Sequence, residues 1–132
     1  MQTAPENSPC FCQSAKAFLQ CCEPYLSARA TPKSAEQLMR SRYSAFATKN
    51  SAYIQATMTG PALKNFDALS LSDFLEQTSF QSLELLASEQ LSDTKATVSF
   101  KVYYEQQGVL NNFSETSLFV KQNQRWLYYD AL

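Results

Sequence analysis

The chain has 132 residues, of which 45% are hydrophobic, 13% aromatic and 17% charged, with a formal net charge of −1. This is the composition of one globular domain with a core of its own, and it excludes wholesale disorder, collagen and coiled coil. Histidine is absent and glycine occurs only as Gly60 and Gly108, which excludes imidazole bases, imidazole metal ligands and glycine-rich phosphate loops. A near-neutral chain has no overall drive toward nucleic acid or an anionic membrane, so a nucleic-acid role is disfavoured.

Met1 to Pro9 is polar, without the basic and apolar blocks of a secretory or transit leader. No apolar run approaches the roughly 18 residues of a membrane helix, and the expectation is a cytoplasmic protein with no membrane association. All four cysteines follow at once, as Cys10-Phe11-Cys12, an eight-residue spacer and Cys21-Cys22. Two close pairs on a short loop suit a tetrahedral thiolate site, and zinc is the leading reading. With all four positions filled by protein, such an ion is structural. Disulfide pairing and free redox-active thiols are the alternatives, the first weakened by the strain of bridging adjacent cysteines. Lys16, inside the spacer, is the candidate cation near the thiolate charge.

A loop from Glu23 to Lys33 leads to Ser34, which with Gln37 forms a capping-box signature and predicts a helix from residue 35. Helical spacing gathers Ala35, Leu38, Met39, Tyr43 and Phe46 in an arc of about 140°, with Arg42 among them. A guanidinium on that face needs a partner, and Asp130 or Glu115 is expected to supply it. Further short helices are predicted over Ser51 to Met58, Ala62 to Phe66 and Ser72 to Gln77. Alternation then takes over. Strands are predicted over Phe80 to Leu91 (Leu83, Leu85 and Ala87 on one face), Thr94 to Tyr104, Phe113 to Lys121 and Arg125 to Asp130, with turns at Gln106-Gln107-Gly108 and Gln122-Asn123-Gln124. Helices first and an antiparallel meander afterwards is an α+β order.

Several of these segments also carry a likeness. Pro9 followed by Cys10-Phe11-Cys12, with Ser14 and Cys21-Cys22, resembles the SEC-C zinc-binding motif. Together with Cys22-Glu23-Pro24-Tyr25, the run Leu38-Met39-Arg40-Ser41-Arg42-Tyr43-Ser44-Ala45 and Arg125-Trp126-Leu127-Tyr128-Tyr129-Asp130, the chain resembles the YchJ-like family. The resemblance implies a SEC-C segment, residues 1–24, joined to a nuclear-transport-factor-2-like (NTF2-like) domain, residues 25–132. In that fold, helices pack on a curved antiparallel sheet to form a cone. It implies a zinc ion on Cys10, Cys12, Cys21 and Cys22, and it brings no reaction. The family motif has glycine where this chain has Gln13, at a place where a knuckle asks for positive φ.

Trp126, Tyr128 and Asp130 alternate onto one face of the last strand. If that face is the inner one, they would line the cone with Arg42, Tyr43, Tyr53 and Tyr104, as a small-ligand pocket or as a closed core. The expected function is a binding or adapter module that meets a protein partner through the knuckle, with Phe11 and Phe18 as contacts. The alternative is a small hydrolase or isomerase using Asp130 as acid or base. The sequence does not specify the oligomeric state.

Overall fold

A computed structural model describes residues 8–132, so the leader reading of Met1 to Pro9 and the start of the 1–24 segment lie largely outside the described residues. Five helices precede four strands: α1 Glu23–Leu26, α2 Ala35–Ala47, α3 Ser51–Ala56, α4 Gly60–Lys64, α5 Ala68–Gln77, β1 Ser79–Ser92, β2 Lys95–Gln106, β3 Val109–Gln122 and β4 Arg125–Ala131. The strands form one antiparallel sheet in sequence order. This is the expected α+β architecture. No helix among the described residues is long and apolar enough to cross a membrane.

Local chemistry accounts for the boundaries. The Ser34 hydroxyl accepts from the Gln37 amide at 3.1 Å and starts α2, while Gln37 Oε1 caps the Lys33 amide at 2.8 Å. Asn50 and Asp67 cap α3 and α5 in the same way. The expected loop after Cys22 contains the single-turn α1, which Pro24 favours by fitting the first turn of a helix. Two-residue turns join β2 to β3 and β3 to β4. Gln107 and Gly108 lie at φ 52° and 77°, and Asn123 and Gln124 at 52° and 64°, the doubly left-handed geometry that matches strand twist.

The inner face of the sheet, beneath the helices, carries Val98, Phe100 and Val102 of β2 and Phe119 of β3, all buried. These pack with Leu38, Met39 and Tyr43 of α2 in one core cluster that also includes Cys10, Cys12 and Cys22. The cysteine segment is thus built into the core, and α1 spans the expected boundary at residues 24 and 25. Ser41, Ser44 and Ala45 are buried beyond the predicted face of α2. The cause is cover on a second side: Ser44 Oγ lies 3.6 Å from Cys10 Sγ, and Ser41 Oγ bonds Tyr53 Oη at 2.7 Å.

Bulges redirect side chains in β1 and β4. Register shifts between Leu85 and Ala87 in β1, so Leu83 and Leu85 oppose Val102 and Phe100 while Ala87 opposes Ser99 on the outer face. In β4, Tyr128 opposes Phe119 but Asp130 opposes Leu118, leaving Tyr129 as the extra residue. The Tyr129 ring lies against Gly60, which has φ +59°. A Cβ at Gly60 would fall inside the ring's van der Waals envelope, so Gly60→Ala is expected to destabilise the fold by about 2–4 kcal/mol in denaturant titration.

Candidate functional site

Two chemically distinct centres emerge. In the first, Cys10 and Cys12 sit on a tight knuckle closed by the Cys10 amide bonding the Lys16 carbonyl at 2.8 Å. Cys21 and Cys22 arrive from the 3-10 turn Phe18–Gln20. The four sulfurs lie within 4.8 Å of one another, and Cys12 Sγ is 3.7 Å from Cys21 Sγ. A tetrahedron of thiolates about 2.3 Å from an ion has edges of about 3.8 Å, so the residues fit a metal ion. Hydrogen bonds with Cys10 and Cys22 hold the Cys12 thiol far below its usual range, while hydrogen bonds with Cys10 and Cys12 push Cys22 far above it and burial pushes Cys21 up to about 11. Four thiolates this close repel one another, and a divalent cation among them would offset that repulsion.

Around these sulfurs, Ser14 Oγ lies 3.2 Å from Cys21 Sγ, and Arg40 Nη1 donates to the Cys12 carbonyl at 2.6 Å. Arg40 is thus a cation held against the knuckle, while the side chain of Lys16, the expected one, is exposed. Sequence reasoning missed it, since on a helix wheel Arg40 falls toward the polar side. Gln13 has φ 66°, the left-handed conformation the family's glycine would serve. Gln13→Gly is expected to raise stability by roughly 0.5–1 kcal/mol, read from thermal melts of the metal-loaded protein.

The second centre is a cavity of about 340 Å³ between the inner sheet face and helices α2 to α5, within the size range of small-molecule clefts. Phe46, Phe66, Phe74, Phe80, Phe100, Phe113 and Phe119 all contribute to its wall. Edge-to-face contacts of Phe74 with Phe46 and Phe80, at centroid distances of 6.4 and 5.9 Å, fix the wall's shape. Asn65 and Asp67, both exposed, mark the mouth.

At the polar end stand Arg42, Glu115, Ser117 and Tyr128. Arg42 Nη1 donates to the Ile54 carbonyl at 2.8 Å and to Thr57 Oγ1 at 2.6 Å, and its guanidinium lies 4.7 Å from the Tyr128 ring centre. Neither expected carboxylate pairs with it directly. Burial lowers the guanidinium to about 10, so it remains charged at neutral pH. Glu115 Oε2 accepts from Ser117 Oγ at 2.5 Å and from Tyr128 Oη at 2.9 Å. Burial, reinforced by the Glu115 charge, pushes the Tyr128 hydroxyl well above its usual range.

Of the residues expected to line the cone, the structure brings Arg42, Tyr43 and Tyr128 to the cavity. Burial raises Tyr43 to about 12. Tyr53 is turned to Ser41, and Tyr104 stands behind the wall between Phe80 and Phe113. Trp126 is on the inner face but belongs to the closed core, and its indole N–H is a buried side-chain donor without a partner among the described residues. Asp130 is turned to the outer face by the Tyr129 bulge, and its Oδ1 accepts from the Ala131 amide at 2.9 Å. Strict alternation placed it wrongly, because the extra residue inverts the strand from that point.

The family model for the YchJ middle NTF2-like domain matches residues 34–131. A UPF0225 protein of Haemophilus influenzae is 34% identical over 98% of this chain and 81% of its own length. Another, from Sodalis glossinidius, is 36% identical over 95% and 83%. The solution structure of a SEC-C motif protein from Rhodopseudomonas palustris superposes with a TM-score of 0.86 at 31% identity, covering 94% of this chain and 97% of that one. A crystal structure of a SEC-C motif protein from Psychrobacter arcticus gives 0.82 at 28%, covering 95% and 82%. With the cysteine cluster, the cone and these likenesses together, the chain belongs to the YchJ-like family of SEC-C motif proteins with an NTF2-like domain.

Proposed function

We propose that this protein is a metal-stapled binding module, in which the four cysteines hold a structural zinc ion and the cone takes up a small, largely apolar molecule. The observation that carries the reading is the cavity of about 340 Å³ with a buried, charged Arg42 on its wall and, among the described residues, no carboxylate paired to it. An aromatic chamber with few convergent polar groups is the usual form of a small-molecule site. An all-sulfur donor set at tetrahedral spacing favours zinc over oxygen-seeking cations and leaves no open position for a reacting water.

A second reading has the knuckle dock a protein partner. Phe11 favours it, being 40% exposed and edge-on to Phe18 at 5.2 Å. Phe18 itself packs against the core. An enzyme reading would run through Glu115, the carboxylate at the polar end, since Asp130 is outside the cavity.

A thermal-shift screen of the zinc-loaded protein against small anionic, cationic and neutral fragments tests the binding reading. At least one fragment is expected to raise the melting temperature by several degrees. That shift should persist in Asp130→Asn and Phe11→Ser and vanish in Ala62→Trp, which fills the chamber from its wall. Failure of every fragment at millimolar concentration would overturn it.

A further inference from the structure

The polar end of the cavity presents hydrogen-bonding groups that do not satisfy one another. Arg42 is 7% exposed. Both of its bonds leave from Nη1, and among the described residues nothing accepts from Nε or Nη2. Glu115 receives both of its hydroxyl donors on Oε2, so Oε1 has no donor among the described residues. No ion pair joins the two groups. Tyr128 separates them, its ring against the guanidinium and its hydroxyl on the carboxylate. A cation with spare N–H groups and an anion with a spare oxygen thus line one chamber, held apart.

We infer that the cone is a site for a neutral molecule whose polar end carries an acceptor beside a donor, a carboxamide or lactam, on an aromatic or branched apolar body. This rests on the small-molecule reading above. A carboxylate would gain at Arg42 and be repelled at Glu115, and an ammonium group would meet the reverse. An amide carbonyl can accept from the free guanidinium N–H groups while its own N–H donates to Glu115 Oε1. A hydrocarbon fills the aromatic walls but leaves donors and acceptor dry and unpaired, which a site built for hydrogen bonding penalises.

The test is isothermal titration of the zinc-loaded protein with four probes of one shape: phenylacetamide, phenylacetate, phenethylammonium and ethylbenzene. Phenylacetamide is expected to bind at least tenfold more tightly than each of the others. Glu115→Gln keeps a carbonyl oxygen for Ser117 and Tyr128 but turns the free acceptor into a donor, so preference should swing to phenylacetate, again by at least tenfold. If either charged probe matches the amide in the unsubstituted protein, the assignment of the polar end is wrong. Equal binding of ethylbenzene would overturn it as well while leaving the cavity a binding site. If none of the four binds at millimolar concentration, both the inference and the reading beneath it fall.

Discussion

Stripping the metal, by chelation or by Cys22→Ser, is expected to lower the melting temperature by roughly 10–20 °C, corresponding to about 3–5 kcal/mol for a domain of this size. Cys10, Cys12 and Cys22 are 3%, 0% and 1% exposed and share one core cluster with Leu38, Met39 and Trp126. Without an ion, four sulfurs stand close together with three of them buried in that core, and Cys22→Ser adds a hydroxyl there. The effect should therefore reach beyond the knuckle to α2, whose Ser44 touches Cys10 and whose Arg40 holds the Cys12 carbonyl. Circular dichroism melts with zinc, with chelator and after zinc is restored, with elemental analysis of each sample, read this directly. An unchanged melting temperature in a sample shown to be metal-free would contradict it.

Arg42→Met is expected to abolish small-molecule binding, with a loss of at least tenfold, and to leave the fold as stable as before or more stable. The drop of the guanidinium from its ordinary 12.5 to about 10 corresponds to roughly 3 kcal/mol disfavouring the charged form in the folded state. Two hydrogen bonds and the Tyr128 contact offset part of this. Methionine fills similar volume without a charge to desolvate, a replacement that is often neutral or stabilising. A group kept at such cost fits a site tuned to a ligand better than a core tuned to stability. Equilibrium unfolding in urea and probe titration of the same variant check both halves. A loss of more than about 2 kcal/mol would show that Arg42 is chiefly a structural post.

The sequence was most legible where one local rule governs. The capping residues Ser34 and Gln37, the alternation through β2 and the paired cysteines each signal their structure without tertiary help. Gln13 could be read as an awkward residue for its place, and its φ of 66° agrees. Legibility failed where an extra residue enters a strand. Nothing local marks the Tyr129 bulge, which comes with Tyr128 pairing to Thr57 and Thr59 on the strand's open edge and the Tyr129 ring packing on Gly60. That single insertion moved the proposed acid or base out of the cavity and left Glu115 as the carboxylate at the polar end. From the sequence Glu115 is only a candidate partner for Arg42, because its position opposite Phe100 depends on strand register. Arg40 is illegible for a similar reason: its role depends on the knuckle folding back over α2.

Met39 and Met58, two of the chain's three methionines, both line the cavity, and this makes the central claim directly measurable. Protein carrying isotopically labelled methionine methyl groups, loaded with zinc, would be titrated with a fragment panel of mixed charge and followed by NMR. The account predicts that fragments raising the melting temperature also move the Met39 and Met58 signals together and saturably, with both responses lost in Ala62→Trp. Stabilising fragments that leave both methyl signals in place would contradict it, as would a panel in which no member moves either.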